Sequence, residues 1–219
     1  MKQPPPAIIC IGRNYADHAT EMGGEAPTSP TVFMKNPASV IDDGDQIVIP
    51  SICEQHGPEI DYEGELAVIL GHDLTDATTR TALAAVKGYA VANDVTARWW
   101  QKKGSGGQWI RGKSFNSFCP IGRVVDSNTI DCPQSLKIRT CVNGDVVQEC
   151  STSKMIFSVE QLLIELSRGM TLLEGTVILT GTPAGVGAGF DPPRFLDDGD
   201  VVEVSIEGIG RIRNTVRRA

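Results

Sequence analysis

The stretch Ile60 to Gly71 reads I-D-Y-E-G-E-L-A-V-I-L-G, and its second half predicts a buried β-strand. Leu66 to Leu70 form a continuous apolar run that ends at a glycine, as buried strands commonly do. Asp61, Glu63 and Glu65 alternate in the first half, and alternate residues of a strand project to the same face. We therefore expect three carboxylates to line one side of the strand where it begins.

No lysine or arginine lies close in sequence to these acids, so their like charges need another source of compensation. A cluster of like charges costs free energy unless a cation or a hydrogen-bond network offsets it. A hard divalent ion that prefers oxygen ligands, Mg²⁺ or Mn²⁺, would meet that need. The alternative is an exposed strand end whose acids are solvated, and this stretch alone does not distinguish the two.

The composition favours one globular domain over residues 1–219. The chain is 41% hydrophobic, enough for a full core, and its 23 glycines and 13 prolines suit a β-rich protein with many turns. A net charge of −7 argues against nucleic acid or an anionic membrane surface as a partner. No apolar run approaches the length of a membrane span, and the amino terminus lacks a signal-peptide core.

The cysteine content indicates the cellular compartment of the protein. All six are scattered without a C-x-x-C pair, which suggests neither a zinc site nor a redox pair. We expect them to be reduced thiols in a cytoplasmic protein.

A second candidate site lies in a short helix predicted from Arg13 to Met22, which is followed by two glycines. His18 and Glu21 are spaced i,i+3 and would share a face of that helix. A carboxylate that orients an imidazole and stabilises its protonated form would make the pair a general base. Polar residues of an ordinary surface helix have the same spacing, so both interpretations stay open. The following loop, Gly24 to Pro30, could serve as a lid.

Two further charged residues stand where a site could form. Tyr89 to Ala92 predicts a strand that runs into Asn93, which places Asp94 at a strand end, either facing a cleft or capping a turn. Lys113 has aromatic and aliphatic neighbours in sequence. A lysine in such surroundings either extends its charge to water or occupies a partly dry site, where it could polarise a carbonyl or bind a carboxylate.

Turns and helices complete the prediction. The sequence D-D-G-D at Asp42, repeated at Asp197, predicts turns that feed alternating strands, and neither copy has the ligands of a calcium loop. Asn143-Gly144 predicts a β-hairpin. Helices are predicted over Ser158 to Arg168, with a capping box at its start, and over Asp76 to Val86.

Several motifs occur in one order along the chain, namely G-R-N-Y-A-D-H-A-T-E from Gly12, E-G-E from Glu63, N-D-V-T-A-R from Asn93, G-K-S-F from Gly112 and V-I-L-T-G-T-P-A-G-V-G from Val177. Together they closely resemble the fumarylacetoacetate hydrolase superfamily, in the branch of acylpyruvate hydrolases and oxaloacetate decarboxylases. The resemblance covers nearly the whole chain. It implies an α+β, β-rich fold, a mixed β-roll with a few short helices, in a protein that is usually a homodimer.

The resemblance also implies a role for individual residues. The implied ligands of Mg²⁺ or Mn²⁺ are Glu63, Glu65 and Asp94. The implied catalytic residues are His18 and Glu21, a water-activating dyad on a lid helix, and Lys113, which would face the substrate. The implied substrate contacts are Arg13, Arg98, Gln101 and Thr182. Asp61 is not among the family's metal ligands, so the resemblance removes one acid from the three of the strand.

The implied activity is hydrolysis of a carbon–carbon bond in acylpyruvate-type 2,4-dioxo acids, giving pyruvate and a carboxylic acid through a metal-stabilised pyruvate enolate. Oxaloacetate decarboxylation would form the same enolate, so the metal ligands do not choose between the two reactions. Hydrolysis of fumarylpyruvate or of a 2,4-dioxo sugar acid, and isomerisation or decarboxylation in aromatic catabolism, also stay open. A non-catalytic metal-binding protein is the alternative of another class. The expected partners are a small 2-oxo acid and a second copy of the chain.

Overall fold

The computed structural model describes residues 4–219, and within them the predicted β-rich α+β fold with mixed sheets is confirmed. The α-helices of this range are α1 (Ala16–Glu21), α2 (Arg98–Lys102), α3 (Ile110–Lys113) and α4 (Val159–Ser167). The strands of this range are β1 (Ile8–Gly12), β2 (Thr31–Lys35), β3 (Val40–Ile41), β4 (Gln46–Ile49), β5 (Ile60–Asp61), β6 (Gly64–Leu70), β7 (Val86–Asn93), β8 (Thr96–Ala97), β9 (Cys119–Pro120), β10 (Val125–Asp126), β11 (Lys137–Val142), β12 (Asp145–Ser151), β13 (Val177–Leu179), β14 (Val201–Ile206) and β15 (Gly210–Arg218). None of the helices found in residues 4–219 is long and apolar enough to cross a membrane.

Two large sheets build the domain core. The six-stranded sheet has the order β10-β7-β6-β13-β1-β2, and the five-stranded sheet has the order β12-β11-β14-β15-β4. Parallel pairs (β1 with β13, β4 with β15) occur beside antiparallel ones, which makes both sheets mixed. Strand β6 lies inside its sheet between β7 and β13, so the strand that carries Glu65 has partners on both edges.

The continuous apolar run of β6 arises because each of its faces meets a different core. Leu66, Val68 and Leu70 belong to the main core, together with inward side chains of the five-stranded sheet. Ala67 and Ile69 belong to a smaller core on the opposite face. A strand that is buried on both faces has apolar residues at every position rather than at alternate ones. Glu65 shares the parity of Ala67 and therefore lies on the side of the smaller core.

Several of the local predictions are confirmed. The Asn143-Gly144 turn joins β11 to β12, with both residues at positive φ. Turns occur at both D-D-G-D sequences, although neither forms a hairpin, because β4 pairs with β15 and β14 pairs with β11 and β15. The predicted helix from Ser158 to Arg168 is α4, with a capping box between Ser158 and Gln161.

The helix predicted over Asp76 to Val86 is wrong. A turn covers residues 79–82, a single 3₁₀ turn covers Leu83–Ala85, and β7 begins at Val86. Asp76 has a φ of 46° and accepts a hydrogen bond from the N–H of Gly169. The Thr78 backbone N–H donates to the Thr81 hydroxyl, and such local side-chain bonds compete with helix formation.

The first helix is shorter than the predicted range Arg13 to Met22. It covers Ala16–Glu21, because Arg13 has a φ of 58° and Tyr15 is extended. A non-glycine residue at positive φ is uncommon and breaks helical geometry. His18 and Glu21 still share one face of the shortened helix.

Replacing Ser158 by alanine tests the capping box of α4. The Ser158 hydroxyl accepts from the Gln161 backbone N–H, while the Gln161 side chain accepts from the Ser158 N–H. We expect Ser158→Ala to lower the free energy of unfolding by about 1 kcal/mol in a denaturant titration. Ser158→Thr retains the hydroxyl and should lose much less. Equal losses in the two variants would contradict the capping role.

Candidate active site

The three implied metal ligands converge at one point. Glu63, Glu65 and Asp94 are buried and each offers a carboxylate oxygen, with these oxygens all within 4.8 Å of one another. The antiparallel register of β6 and β7 sets this arrangement, because Gly64 lies opposite Asn93. Asp94 also donates its backbone N–H to the carbonyl oxygen of Glu63 at 2.8 Å. Residues 31 positions apart thus become neighbours through sheet pairing.

The expected single row of three acids along the strand is wrong for Asp61. Its strand, β5, ends before β6 begins. The Asp61 carboxylate accepts hydrogen bonds from the backbone N–H groups of Gly187 and Ala188 and pairs with the Arg98 guanidinium. It therefore holds a loop and an arginine in place instead of joining the cluster.

Cations from distant segments compensate the buried acids. The Lys113 ammonium lies 2.7 Å from Glu63 and 2.7 Å from Asp94. Arg98 lies 2.8 Å from Glu63, and Lys35 contacts Asp94. Although burial raises the pKa of Glu63, the charges of Lys113 and Arg98 outweigh that effect and hold the pKa at about 2. Glu63 is therefore ionised at neutral pH.

Glu65 lacks such compensation. Its carboxylate accepts the backbone N–H of Gly181 at 2.7 Å, and no ion pair within residues 4–219 includes it. Burial raises the pKa of Glu65 well above its usual range, and the neighbouring carboxylates of Asp94 and Glu63 raise it further. A divalent cation at the cluster would supply the positive charge that Glu65 lacks. Three carboxylates are also the hard oxygen donors that Mg²⁺ and Mn²⁺ prefer. These residues fit such an ion.

The predicted dyad is present in the structure. His18 Nδ1 lies 3.0 Å from Glu21 Oε2. The other oxygen of Glu21 accepts the backbone N–H of Gly185 at 2.8 Å, which docks α1 on the loop after β13. With Nδ1 bonded to the carboxylate, the remaining ring nitrogen of a neutral His18 is available as a proton acceptor. The geometry suits a general base, and the catalytic role of the dyad stays a prediction.

One cleft brings most of the implied site residues together. Its polar lining consists of Arg13, His18, Glu63, Arg98, Gln101, Lys102, Lys113 and Thr182. Its apolar lining includes Ile11, Met22, Phe33 and Trp109. The remaining implied residues, Glu21, Glu65 and Asp94, lie behind this surface in contact with its elements. The fold thus assembles all ten around one cavity.

The implied substrate contacts differ in how free their polar groups are. Gln101 Oε1 accepts from Arg98, which leaves the amide N–H groups of Gln101 for a ligand. The guanidinium of Arg98 is directed at Asp61, Glu63 and Gln101. The Thr182 hydroxyl donates to the carbonyl of Gly64. Arg98 and Thr182 therefore organise the site whether or not they touch a substrate, and their contacts with substrate stay predictions.

Sequence reasoning missed two buried residues of the site, Lys35 and Gln148. Lys35 is 1% exposed and binds Asp94 and the carbonyl of Val95. The alternation of β2 contains a signal for it, because Lys35 has the parity of Phe33, and the strand exposes Val32 and Met34. Gln148 lies on a strand of the other sheet and has no comparable signal in the sequence.

A buried cluster of oxygen donors, beside a histidine–glutamate dyad in an open cleft, defines the class: a β-rich enzyme domain with a candidate divalent-metal site. Residues 7–217 match the family described as fumarylacetoacetate (FAA) hydrolase C-terminal. The chain therefore belongs to this family, as its motifs suggested.

Two relatives within the family are named as oxaloacetate tautomerases. The chain is 46% identical over 219 residues to oxaloacetate tautomerase YisK of Bacillus subtilis, covering 99% of this chain and 71% of that protein. It is 41% identical over 213 residues to human mitochondrial oxaloacetate tautomerase FAHD2A, covering 97% of this chain and 67% of that protein. The chain thus spans about two thirds of the length of such relatives.

Solved structures agree on the fold. A fumarylacetoacetate hydrolase from Exiguobacterium antarcticum superposes with a TM-score of 0.88 at 44% identity, covering 99% of this chain and 76% of that one. The fumarylpyruvate hydrolase of Pseudomonas aeruginosa, solved with Mn²⁺ and pyruvate, gives a TM-score of 0.88 at 30% identity, covering 99% of this chain and 91% of that one.

Glu65→Gln tests the charge balance of the cluster. A carboxyl whose folded pKa is raised stabilises the fold fully below its unfolded pKa, and this contribution is lost as pH rises through the folded pKa. Without added metal, we therefore expect Glu65→Gln to melt at a higher temperature than wild type at alkaline pH.

The same variant should lose its response to metal. Wild type should gain about 2.7 kcal/mol of stability when Mn²⁺ is a hundredfold above its dissociation constant. At a fixed Mn²⁺ concentration this gain should grow with pH, because Glu65 must lose its proton to bind the ion. Glu207→Gln, at an exposed turn, is the control and should keep the gain. A full Mn²⁺ response in Glu65→Gln would contradict the assignment.

Proposed function

We propose that the cleft stabilises the enolate of a 2-oxo acid, and that its main reaction interconverts the enol and keto forms of oxaloacetate. The observation that carries the proposal is the buried cluster of Glu63, Glu65 and Asp94 at the cleft. The choice of oxaloacetate is supported by the names of relatives that are 41% and 46% identical over nearly the whole chain.

Mg²⁺ or Mn²⁺, when bound by Glu63, Glu65 and Asp94, would polarise the keto oxygen and stabilise the negative charge that develops on it. The chain itself keeps these ligands in place. The backbone N–H of Gly181 orients Glu65, and Arg98 and Lys113 orient Glu63.

Lys113 and Gln101 are the groups that would hold the substrate. An ammonium has three donors, and two from Lys113 are directed at Glu63 and Asp94, which leaves one for a substrate oxygen. The free amide N–H groups of Gln101 suit a carboxylate. Arg13 lines the same cleft and brings a further positive charge toward a dianionic acid.

His18 is the residue we propose for proton transfer. In the direction from enol to keto, the enol oxygen loses a proton. The other carbon of the enol double bond, which does not bear this oxygen, gains one, so the number of protons is conserved. A neutral imidazole can accept the first proton and deliver the second, and Glu21 stabilises its protonated form.

Hydrolysis of an acylpyruvate is the second candidate, favoured by the intact pair of His18 and Glu21. The base would take a proton from water as its oxygen adds to the distal carbonyl. The carbon–carbon bond would then break, with its electron pair leaving on the pyruvate enolate, which is protonated to pyruvate. The fumarylpyruvate hydrolase named above supports this reaction. Decarboxylation of oxaloacetate would reach the same enolate without water. The expected homodimer and single-domain organisation stay predictions.

Replacing His18 by glutamine tests the proton-transfer role. We expect the enzymatic rate of enol-oxaloacetate conversion, followed by ultraviolet absorbance with Mg²⁺, to fall roughly a hundredfold or more. Decarboxylation of oxaloacetate should fall less, because it needs no base. A blank without enzyme corrects for free metal ions. His72→Gln, at an exposed position, should remain at the wild-type rate. Equal losses in both reactions would contradict the assigned role.

Pyruvate release from acetylpyruvate tests the second candidate. With Mg²⁺ present, release that a chelator abolishes and His18→Gln impairs would establish hydrolysis. Tautomerisation of oxaloacetate without any release from acetylpyruvate would remove the hydrolase candidate. The two assays share enzyme and buffer, so their rates can be compared directly.

A further inference from the structure

The side chain of Gln148 closes a ring of hydrogen bonds around Gly64, the residue between the two glutamates of the cluster. Its Oε1 accepts the N–H of Gly64 at 3.0 Å, and its Nε2 donates to the hydroxyl of Thr182 at 2.7 Å. That hydroxyl donates in turn to the carbonyl oxygen of Gly64 at 3.0 Å. On this side of β6 the neighbouring strand pairs only with Ala67 to Ile69, so side chains take the place of a strand partner at Gly64.

A β-bulge lies directly beside Gln148. Thr140 of β11 pairs with Gln148 of β12, and the next residue of β11, Cys141, pairs with Val146. Val147 of β12 is therefore the extra residue of the bulge. Bulges are over-represented next to active sites. Gln148 is 1% exposed, so its amide is fully committed to the protein interior.

The same bulge contacts the loop that carries Thr182. Gln148 Nε2 also donates to the carbonyl oxygen of Pro183 at 2.8 Å. Gly185 has a φ of 104°, and a Cβ on it would collide with the carbonyl oxygen of Val147. The loop therefore rests directly on the bulged strand. It also supplies the N–H group that Glu21 accepts, so one strand of the five-stranded sheet supports both the metal ligands and the dyad.

We propose that Gln148 is a positioning residue that sets the geometry of Glu63, Glu65 and Thr182 without touching the substrate. Gln148 is absent from the lining of the cleft, and its bonds reach the site only through Gly64 and the loop. This inference rests on the proposed function, because it requires that the two glutamates hold a divalent ion. Losing a group that orients metal ligands typically weakens metal binding by about 10- to 100-fold.

Gln148→Met tests the proposal, since methionine has a similar length and no amide. The readout is Mn²⁺ affinity by calorimetric titration without substrate, which separates positioning from substrate contact. We expect affinity to fall roughly tenfold or more. The turnover number for oxaloacetate should fall with it, even at saturating Mn²⁺, because Thr182 loses its partner.

Gln134→Met is the matched control. Gln134 also binds two backbone groups through its amide, donating to Thr152 at 3.0 Å and accepting from Val159 at 2.8 Å, and it does not line the cleft. This variant should lose stability like Gln148→Met and keep wild-type Mn²⁺ affinity and turnover. A loss of Mn²⁺ affinity caused by general destabilisation would appear in both variants and would overturn the proposal.

Breaking the ring from its other side gives a second test, which decides the matter if Gln148→Met does not fold. Thr182→Val removes the bonded hydroxyl and should also weaken substrate-free Mn²⁺ binding, whereas Thr182→Ser should restore it. Unchanged Mn²⁺ affinity in folded Gln148→Met, or in Thr182→Val, would overturn the positioning role alone. Wild-type protein that binds no Mn²⁺ would overturn the proposed function and this inference together.

Discussion

Mutual repulsion among the buried carboxylates of Glu63, Glu65 and Asp94 is the constraint on which the rest of the site depends. Each carboxylate lies in the interior, where an uncompensated charge is costly. Lys35, Lys113 and Arg98 compensate two of the three, and Glu65 remains with a backbone N–H. Replacing a buried ion pair by apolar residues is often neutral or stabilising, so such a cluster is weak evidence for stability. The free-energy cost of burying these three carboxylates is better explained by a role in binding a cation.

The fold meets this constraint by bringing three separate segments to the start of β6. Sheet pairing places Asp94 beside Glu63, the loop after β13 supplies N–H groups, and α3 supplies Lys113. Glycine in E-G-E is required by packing, because a Cβ on Gly64 would collide with the Thr140 hydroxyl. The three candidate metal ligands thus lie at the ends of β6 and β7, where packing from both large sheets holds them in place, which suits a site whose geometry must be maintained.

The sequence predicts those parts of the fold and of the candidate site that depend on local pattern. The apolar run of β6, the capped helix α4 and the hairpin at Asn143 follow from periodicity and turn chemistry, and Glu63, Glu65, Asp94, His18 and Glu21 follow from motif order. The parts that depend on distant contacts do not follow. The segment from Asp76 has helical composition, yet its bond to Gly169 forms only in the folded chain. Gln148 acquires its role through contacts between the two large sheets, and its neighbours in sequence do not reveal these contacts.

The most direct test of the central claim is a crystal structure with Mn²⁺ and oxalate, a planar mimic of a 2-oxo acid enolate, in which anomalous scattering locates the metal. We expect one strong manganese peak within coordination distance of oxygens from Glu63, Glu65 and Asp94, with oxalate on its cleft side near Gln101 and Lys113. Manganese at another position, or an ordered cluster without manganese at saturating concentration, would contradict it.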